Sequence, residues 1–325
     1  MIHLQRILTL LSLLLAFPAA VLATTYSLPE NPNDSVIGEF DSGILTTNAK
    51  KDDTLLDVAR RFDIGQNEIL LLNPNVDRWL PGEGTPVNLP NQRILPDAPR
   101  KGLVLNLPEY RLYYYPPAKR GQPKTVITHP ISIGRLDWNT PLGKTRIVDK
   151  TRNPVWRPPA SIKAEHAEKG EILPDVFPAG PDNPLGLYAL RLGIPGYLIH
   201  STNKPYGVGM RVSHGCIRMY PEDIEKLFPM IPVGTPVHIV NQPIKVGWLD
   251  NTLYIEVHPK LEEQNGKSED YESLLEEALN LIEQANNGQL PVLDGAALRD
   301  ALEKQNGVPA AIFRRPSELS AMNLN

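Results

Sequence analysis

Ser213-His214-Gly215-Cys216-Ile217-Arg218 carries the only cysteine of this 325-residue chain, and an isolated histidine, His200, stands sixteen positions before that cysteine. Leu198-Ile199-His200 follows Pro195-Gly196 and predicts a short strand ending on the imidazole. A lone cysteine is often a small buried hydrophobe. Here the two neighbouring histidines point instead to a nucleophile and its base, brought together by the fold.

The chemistry asks for specific partners. The thiolate attacks, and a free thiol with a pKa of about 8.5 is mostly protonated near neutrality. His200 can take its proton if the turn after Val212 lays Cys216 alongside, with Ser201 or Thr202 holding the ring in the productive tautomer. Gly215 permits a tight turn, so that the N–H groups of Gly215 and Cys216 face an acyl oxygen turning negative during attack, at about 3 kcal/mol per donor. Pro221-Glu222-Asp223 predicts a helix start behind the motif, its positive end favouring the thiolate modestly. Arg218 suits either a substrate carboxylate or a structural acid. His214 suits either loop shaping or proton transfer.

Upstream, Leu103–Leu107, Arg111–Tyr115 and Thr125–Ile133 predict strands, and Tyr113-Tyr114-Tyr115 reads as strand packing rather than an aromatic rim. The proline-rich segment from Trp138 through Pro184 predicts lids or substrate-binding walls. Val237-His238-Ile239-Val240 predicts the last core strand. With 33 prolines and little helical periodicity across the middle, the body is expected to be β-rich. A single cysteine excludes an intramolecular disulfide, and a net charge of -4 argues against nucleic-acid binding.

At the amino terminus, Arg6 precedes the apolar run Ile7–Leu15, then Phe17-Pro18-Ala19-Ala20 and Ala23. Residues 1–23 read as a signal peptide, since the run is shorter than the roughly 20 residues of a membrane span. Residues 24–38 predict a tether or an edge strand. From about Gly38 to Pro90, Leu55, Val58, Ala59 and Phe62 recur at helical spacing behind an Asp53 or Thr54 cap. A second helix closes at Asn73-Pro74, and residues 85–90 alternate as a strand does. Beyond Pro259, Leu274, Leu275, Ala278, Leu281 and Ile282 form an apolar helical stripe, expected to pack on the body. Ala297, Leu298, Ala301 and Leu302 mark another helix.

Residues 38–90 resemble a LysM module through Asp52-Asp53-Thr54-Leu55, Val58-Ala59, Asn73-Pro74 and Pro81-Gly82, with Asp52 replacing the usual glycine. That resemblance implies binding of N-acetylglucosamine-containing glycans, the alternative being a packing domain without ligand. His200 with Ser213–Arg218 resembles the signature of the L,D-transpeptidases with a YkuD-type catalytic domain, over residues 100–241. Leu112-Tyr113-Tyr114-Tyr115-Pro116, Pro130–Gly134, Thr140-Pro141-Leu142-Gly143 and Pro184-Leu185-Gly186 support it, and the pattern is most similar to the Gram-negative periplasmic branch. Ser201 stands where that branch often has glycine, and Arg218 where other branches have asparagine.

The resemblance implies a mainly β catalytic sandwich, with a small α+β LysM-like module ahead of it and a partly helical extension over residues 242–325. It implies Cys216 as nucleophile, His200 as proton acceptor and donor, and Ser213, His214 and Gly215 as the oxyanion framework. The implied donor is a peptidoglycan tetrapeptide stem, attacked at its third-residue carbonyl with release of D-alanine. An amine then resolves the thioester, giving a 3-3 cross-link or an attached outer-membrane lipoprotein. Carbapenems are the expected covalent inhibitors, and no metal or organic cofactor is implied. The rival readings are a periplasmic cysteine hydrolase, releasing the acyl group to water, and a non-catalytic cell-wall binding protein.

Overall fold

The computed structural model describes residues 24–38, 44–261 and 270–316. The expected signal peptide lies outside the described residues. In chain order the first elements are β1 (Thr24–Ser27), β2 (Val36–Gly38), β3 (Leu45–Asn48), α1 (Leu55–Arg61), α2 (Gln66–Leu72), β4 (Pro86–Leu89) and β5 (Gln92–Ile94). Thr54 caps α1 through a reciprocal box with Asp57, and Asn73 ends α2. The two helices lie between the antiparallel strands β3 and β4, around a core of Leu55, Val58, Ile69 and Val87.

The body follows as β6 (Gly102–Asn106), β7 (Arg111–Tyr115), β8 (Thr125–Pro130), β9 (Ile133–Gly134), β10 (Gly143–Arg152), α3 (Ala160–Glu168), β11 (Tyr188–Leu192), β12 (Leu198–His200), β13 (Arg211–Ser213), β14 (Ile217–Arg218), α4 (Pro221–Leu227) and β15 (Pro236–Val240). Nine strands form one sheet in the order β1-β8-β7-β6-β15-β10-β11-β12-β14. The first strand is thus an edge strand of the body rather than a tether. Strand β10 pairs with β15 through its first residues and with β11 through its last, with a register shift between Ile147 and Asp149. Such a bulge bends a strand, and here it divides the sheet into two parts that share one core. That core takes Leu103, Leu105, Leu112 and Ile239 from one part and Leu190, Ile199, Ile217 and Met219 from the other. Ser132, just past β8, bridges Arg218 of β14, so the two ends of the sheet curl toward each other. All three tyrosines of the cluster are buried, as packing requires.

The carboxy-terminal helices α5 (Tyr271–Ala285) and α6 (Gly295–Lys304) have a different support from the one expected. They pack on a separate antiparallel sheet of β16 (Ile244–Leu249), β17 (Thr252–Val257) and β18 (Ala310–Arg314), with their own core of Trp248, Leu253, Ile255, Leu274, Ile282 and Leu302. The extension is therefore an α+β unit.

Buried ions join the three units. Glu68 of α2 pairs with Arg93 and with Arg111 (Oε2–Nη2, 2.6 Å), all nearly inaccessible to solvent. Lys245 of β16 bridges Glu109 of the body (3.0 Å) and Glu256 (2.8 Å), and His258 Nε2 lies 2.6 Å from Glu256. Removing one member of such a cluster leaves uncompensated charge, which typically costs 3–5 kcal/mol. Glu68→Ala is therefore expected to lower the free energy of unfolding by about 3 kcal/mol or more in urea titration. The two guanidiniums hold the Glu68 carboxyl below its ordinary value against the opposing effect of burial. Its contribution is present above the unfolded carboxylate pKa of about 4.3 and is lost as the pH falls below it. The wild-type advantage over Glu68→Ala should shrink accordingly in acid.

Candidate active site

Strands β12 and β14 run parallel, with Ile199 opposite Ile217 and His200 opposite Arg218. Partners across a sheet share a face and alternate residues along a strand share it too. Cys216, two residues before Arg218, therefore comes to the His200 face. The loop between them is tightly held. Gly215 has φ +93°, and a Cβ there would lie 2.7 Å from Tyr197 Cε1. Thr140 Oγ1 donates to the Gly215 carbonyl (2.9 Å) while accepting from Gly134 N–H (2.9 Å). In a trans peptide the C=O and the next N–H point in opposite directions, so Thr140 aims Cys216 N–H away from itself. Ser213 is buried, and its Oγ donates to the Cys216 carbonyl (2.5 Å).

His200 is buried, and its Nδ1 lies 2.5 Å from the Ser201 carbonyl. In the neutral ring that contact puts the proton on Nδ1 and the lone pair on Nε2. The tautomer is thus set by the Ser201 main chain rather than a hydroxyl. The Ser201 side chain packs against Gly186, and Thr202 Oγ1 accepts from Lys204 N–H (3.0 Å). Burial, aided by the Arg218 charge, pushes the imidazole down to about 3, while main-chain groups of Ser201 and Leu185 pull the other way. The Cys216 thiol is raised by burial, opposed by the Leu198 main chain and Arg218. Its Sγ points to the Gly196 carbonyl at 3.6 Å, and among the described residues no hydrogen bond joins it to His200. The resting pair is a protonated thiol and a neutral imidazole.

Arg218 is half-buried, its Nε has no hydrogen-bond partner, and among the described residues no carboxylate pairs with it. The structural-acid alternative for this residue is not realised. His214 Nε2 meets Glu165 of α3 at 3.0 Å, and its ring stands edge-on to Trp138 at 5.1 Å. Arg135, in the loop after β9, also binds Glu165. Sequence reasoning quoted Thr140 only within a supporting motif and gave no role to Arg135 or Glu165, whose proximity to the Cys216 loop comes from segments distant in sequence. A cavity of about 610 Å³, lined by Asn31, Asp97, Gln242, Trp248 and Arg315 among others, contains neither Cys216 nor His200.

Cys216 and His200 are thus carried by adjacent strands of a curled β-sheet. The family model of the YkuD L,D-transpeptidase catalytic domain matches residues 100–239. "Probable L,D-transpeptidase YbiS" of Escherichia coli (strain K12) is 39% identical over 91% of this chain and 94% of its own. "Probable L,D-transpeptidase YcfS" of the same strain is 39% identical over 92% and 91%, and "Probable L,D-transpeptidase ErfK/SrfK" is 38% identical over 90% and 91%. Among solved structures, the NMR structure of the catalytic domain from E. faecium L,D-transpeptidase is 23% identical, covering 45% of this chain and all of that one at a TM-score of 0.33. The chain belongs to the L,D-transpeptidase family.

Because burial raises the thiol and the imidazole is not protonated near neutrality, the free enzyme should hold little thiolate at pH 6. Alkylation of Cys216 by iodoacetamide is expected to accelerate about tenfold per pH unit between 6 and 8. A pH-independent plateau would indicate a preformed thiolate–imidazolium pair.

Proposed function

We propose that this enzyme is an exported peptidoglycan L,D-transpeptidase of the periplasm, with Cys216 as nucleophile and His200 as the base and acid of both half-reactions. The observation that supports this reading is the β12–β14 register, with His200 opposite Arg218, Cys216 two residues before it, and no carboxylate on Arg218 among the described residues. On this reading the thiol turns from Gly196 to His200 Nε2 as substrate enters; catalytic hydrogen bonds commonly tighten only in the complex. His200 takes the proton, and sulfur adds to the third-residue carbonyl of a tetrapeptide stem. Cys216 N–H faces the resulting oxyanion, held by Thr140 and the Gly215 turn. The C–N bond to the terminal D-alanine breaks, and His200 returns its proton to the leaving amine, giving a thioester.

An acceptor amine attacks the thioester, loses its proton to His200 and displaces the thiolate. With a second stem the product is a 3-3 cross-link, and with a lysine it is an attached lipoprotein. Arg218 serves a substrate carboxylate, since a guanidinium with an unpartnered Nε and no carboxylate on it among the described residues matches that planar anion. The Leu45–Leu89 unit, with its helices between paired strands, supports glycan binding by the LysM-like module.

Two measurements test this reading. Incubation with a purified tetrapeptide muropeptide is expected to give joined products, whereas shortened monomers alone would favour the hydrolase. Intact mass after exposure to a carbapenem is expected to show one adduct on the wild type and none on Cys216→Ala. Equal labelling of both would remove Cys216 from the chemistry.

A further inference from the structure

The segment between β10 and β11 is secured at its base. Asn183 Nδ2 donates to the Pro154 carbonyl (2.8 Å), and Trp156 bridges Phe177, with the rings 5.2 Å apart. The helix it carries, α3, has little to hold it by packing. Ile162 is its one buried residue, and Ile172 beyond it is 94% exposed. Two of its ionic contacts, Lys163–Asp175 and His166–Glu171, tie the segment to itself. Glu165 reaches the body. Its Oε2 binds Arg135 and lies 3.0 Å from His214 Nε2, and its Oε1 is neutralised within the helix by Lys169 at 2.6 Å. Arg135 is braced by Asp137 (Nε–Oδ1, 2.9 Å), and His214 by the edge of Trp138.

We propose that Glu165 is a positioning residue: its carboxylate latches helix α3 onto the nucleophile loop through His214 and Arg135, so that seating the α3 wall and fixing the His214 ring are one event. His214 is two residues from Cys216, and the wall is where a stem peptide would be held. A slack latch therefore weakens substrate placement without removing a reacting group. The inference rests on the transpeptidase reading for its kinetic consequence, but not for the contact itself.

Three measurements on the full chain test it. Glu165→Gln and Arg135→Gln should each raise KM for the tetrapeptide muropeptide by about fivefold or more. The double variant should be no worse than the poorer single variant, because both break the same link. Alkylation of Cys216 by iodoacetamide, which needs no seated wall, should stay within about twofold of wild type.

The third readout is the His214 titration by NMR. The groups facing this ring are Arg135, Glu165, His166, Arg218 and Trp138. Glu165 raises its pKa against burial and the two arginines. Glu165→Gln should therefore move the midpoint down, and Glu165→Asp should restore it in part. Additive KM effects, or a His214 midpoint unmoved by Glu165→Gln, would overturn the latch. If the wild type forms no cross-link, the transpeptidase reading fails, while the NMR shift still decides the contact.

Discussion

The parallel pairing of β12 with β14 places His200 opposite Arg218 and brings Cys216 to the same face. A slip of one residue in either strand would turn the thiol to the opposite face, because side chains alternate. Two short strands would pin that register poorly by themselves. It is held from the flanks: Ile199 and Ile217 are wholly buried in the main core, and Ser132 and Arg218 exchange main-chain hydrogen bonds at 2.8 and 3.1 Å. Thr140 and Ser213 then fix the two peptides on either side of Cys216. The geometry of the site is therefore a consequence of core packing and of sheet closure together.

The amino-terminal unit takes part in the same frame. Gln66 and Asn67 donate main-chain hydrogen bonds to Val208 and Gly209, which lie between His200 and Cys216 in the chain. Gly209 has φ +86°, and a Cβ there would come 2.3 Å from Gln66 N, so the two segments are in backbone contact. On the far side of the motif, Arg60 pairs with Glu222 at 2.8 Å and Tyr220 donates to the Ile64 carbonyl. His129 of β8 lies 2.9 Å from Asp63 and 3.7 Å from Asp223 of α4, all three buried. The unit thus clasps both flanks of the Cys216 loop and does not hang from a linker.

Much of this was legible in the chain. His200 closing a strand, the tight turn at Gly215 and the capped helix behind Thr54 follow from apolar runs and from residues with one conformational use. The missed hairpin was also within reach: Ile244–Leu249 and Thr252–Val257 flank Asp250-Asn251, and Asp250 adopts φ +52°. The buried clusters were out of reach, because Glu68 and Arg93 read as surface charges until the fold removes water from both. Glu165 is similar, a glutamate on a helix with no apolar stripe, whose meaning comes wholly from Arg135 and His214.

The resting electrostatics suit a lone thiol in a chain read as exported. Burial keeps Cys216 protonated and turned to the Gly196 carbonyl, and it keeps His200 neutral. A thiol is far less prone to oxidation than a thiolate, so the site avoids standing reactivity where oxidants are present. Neither group is disabled by this. The Ser201 carbonyl has already chosen the tautomer with its lone pair on Nε2, and among the described residues Arg218 Nε has no hydrogen-bond partner. On the proposed mechanism, a substrate carboxylate at Arg218 would weaken the positive field that lowers the imidazole's basicity, and so would make His200 a better base when an acyl carbon is there to be attacked.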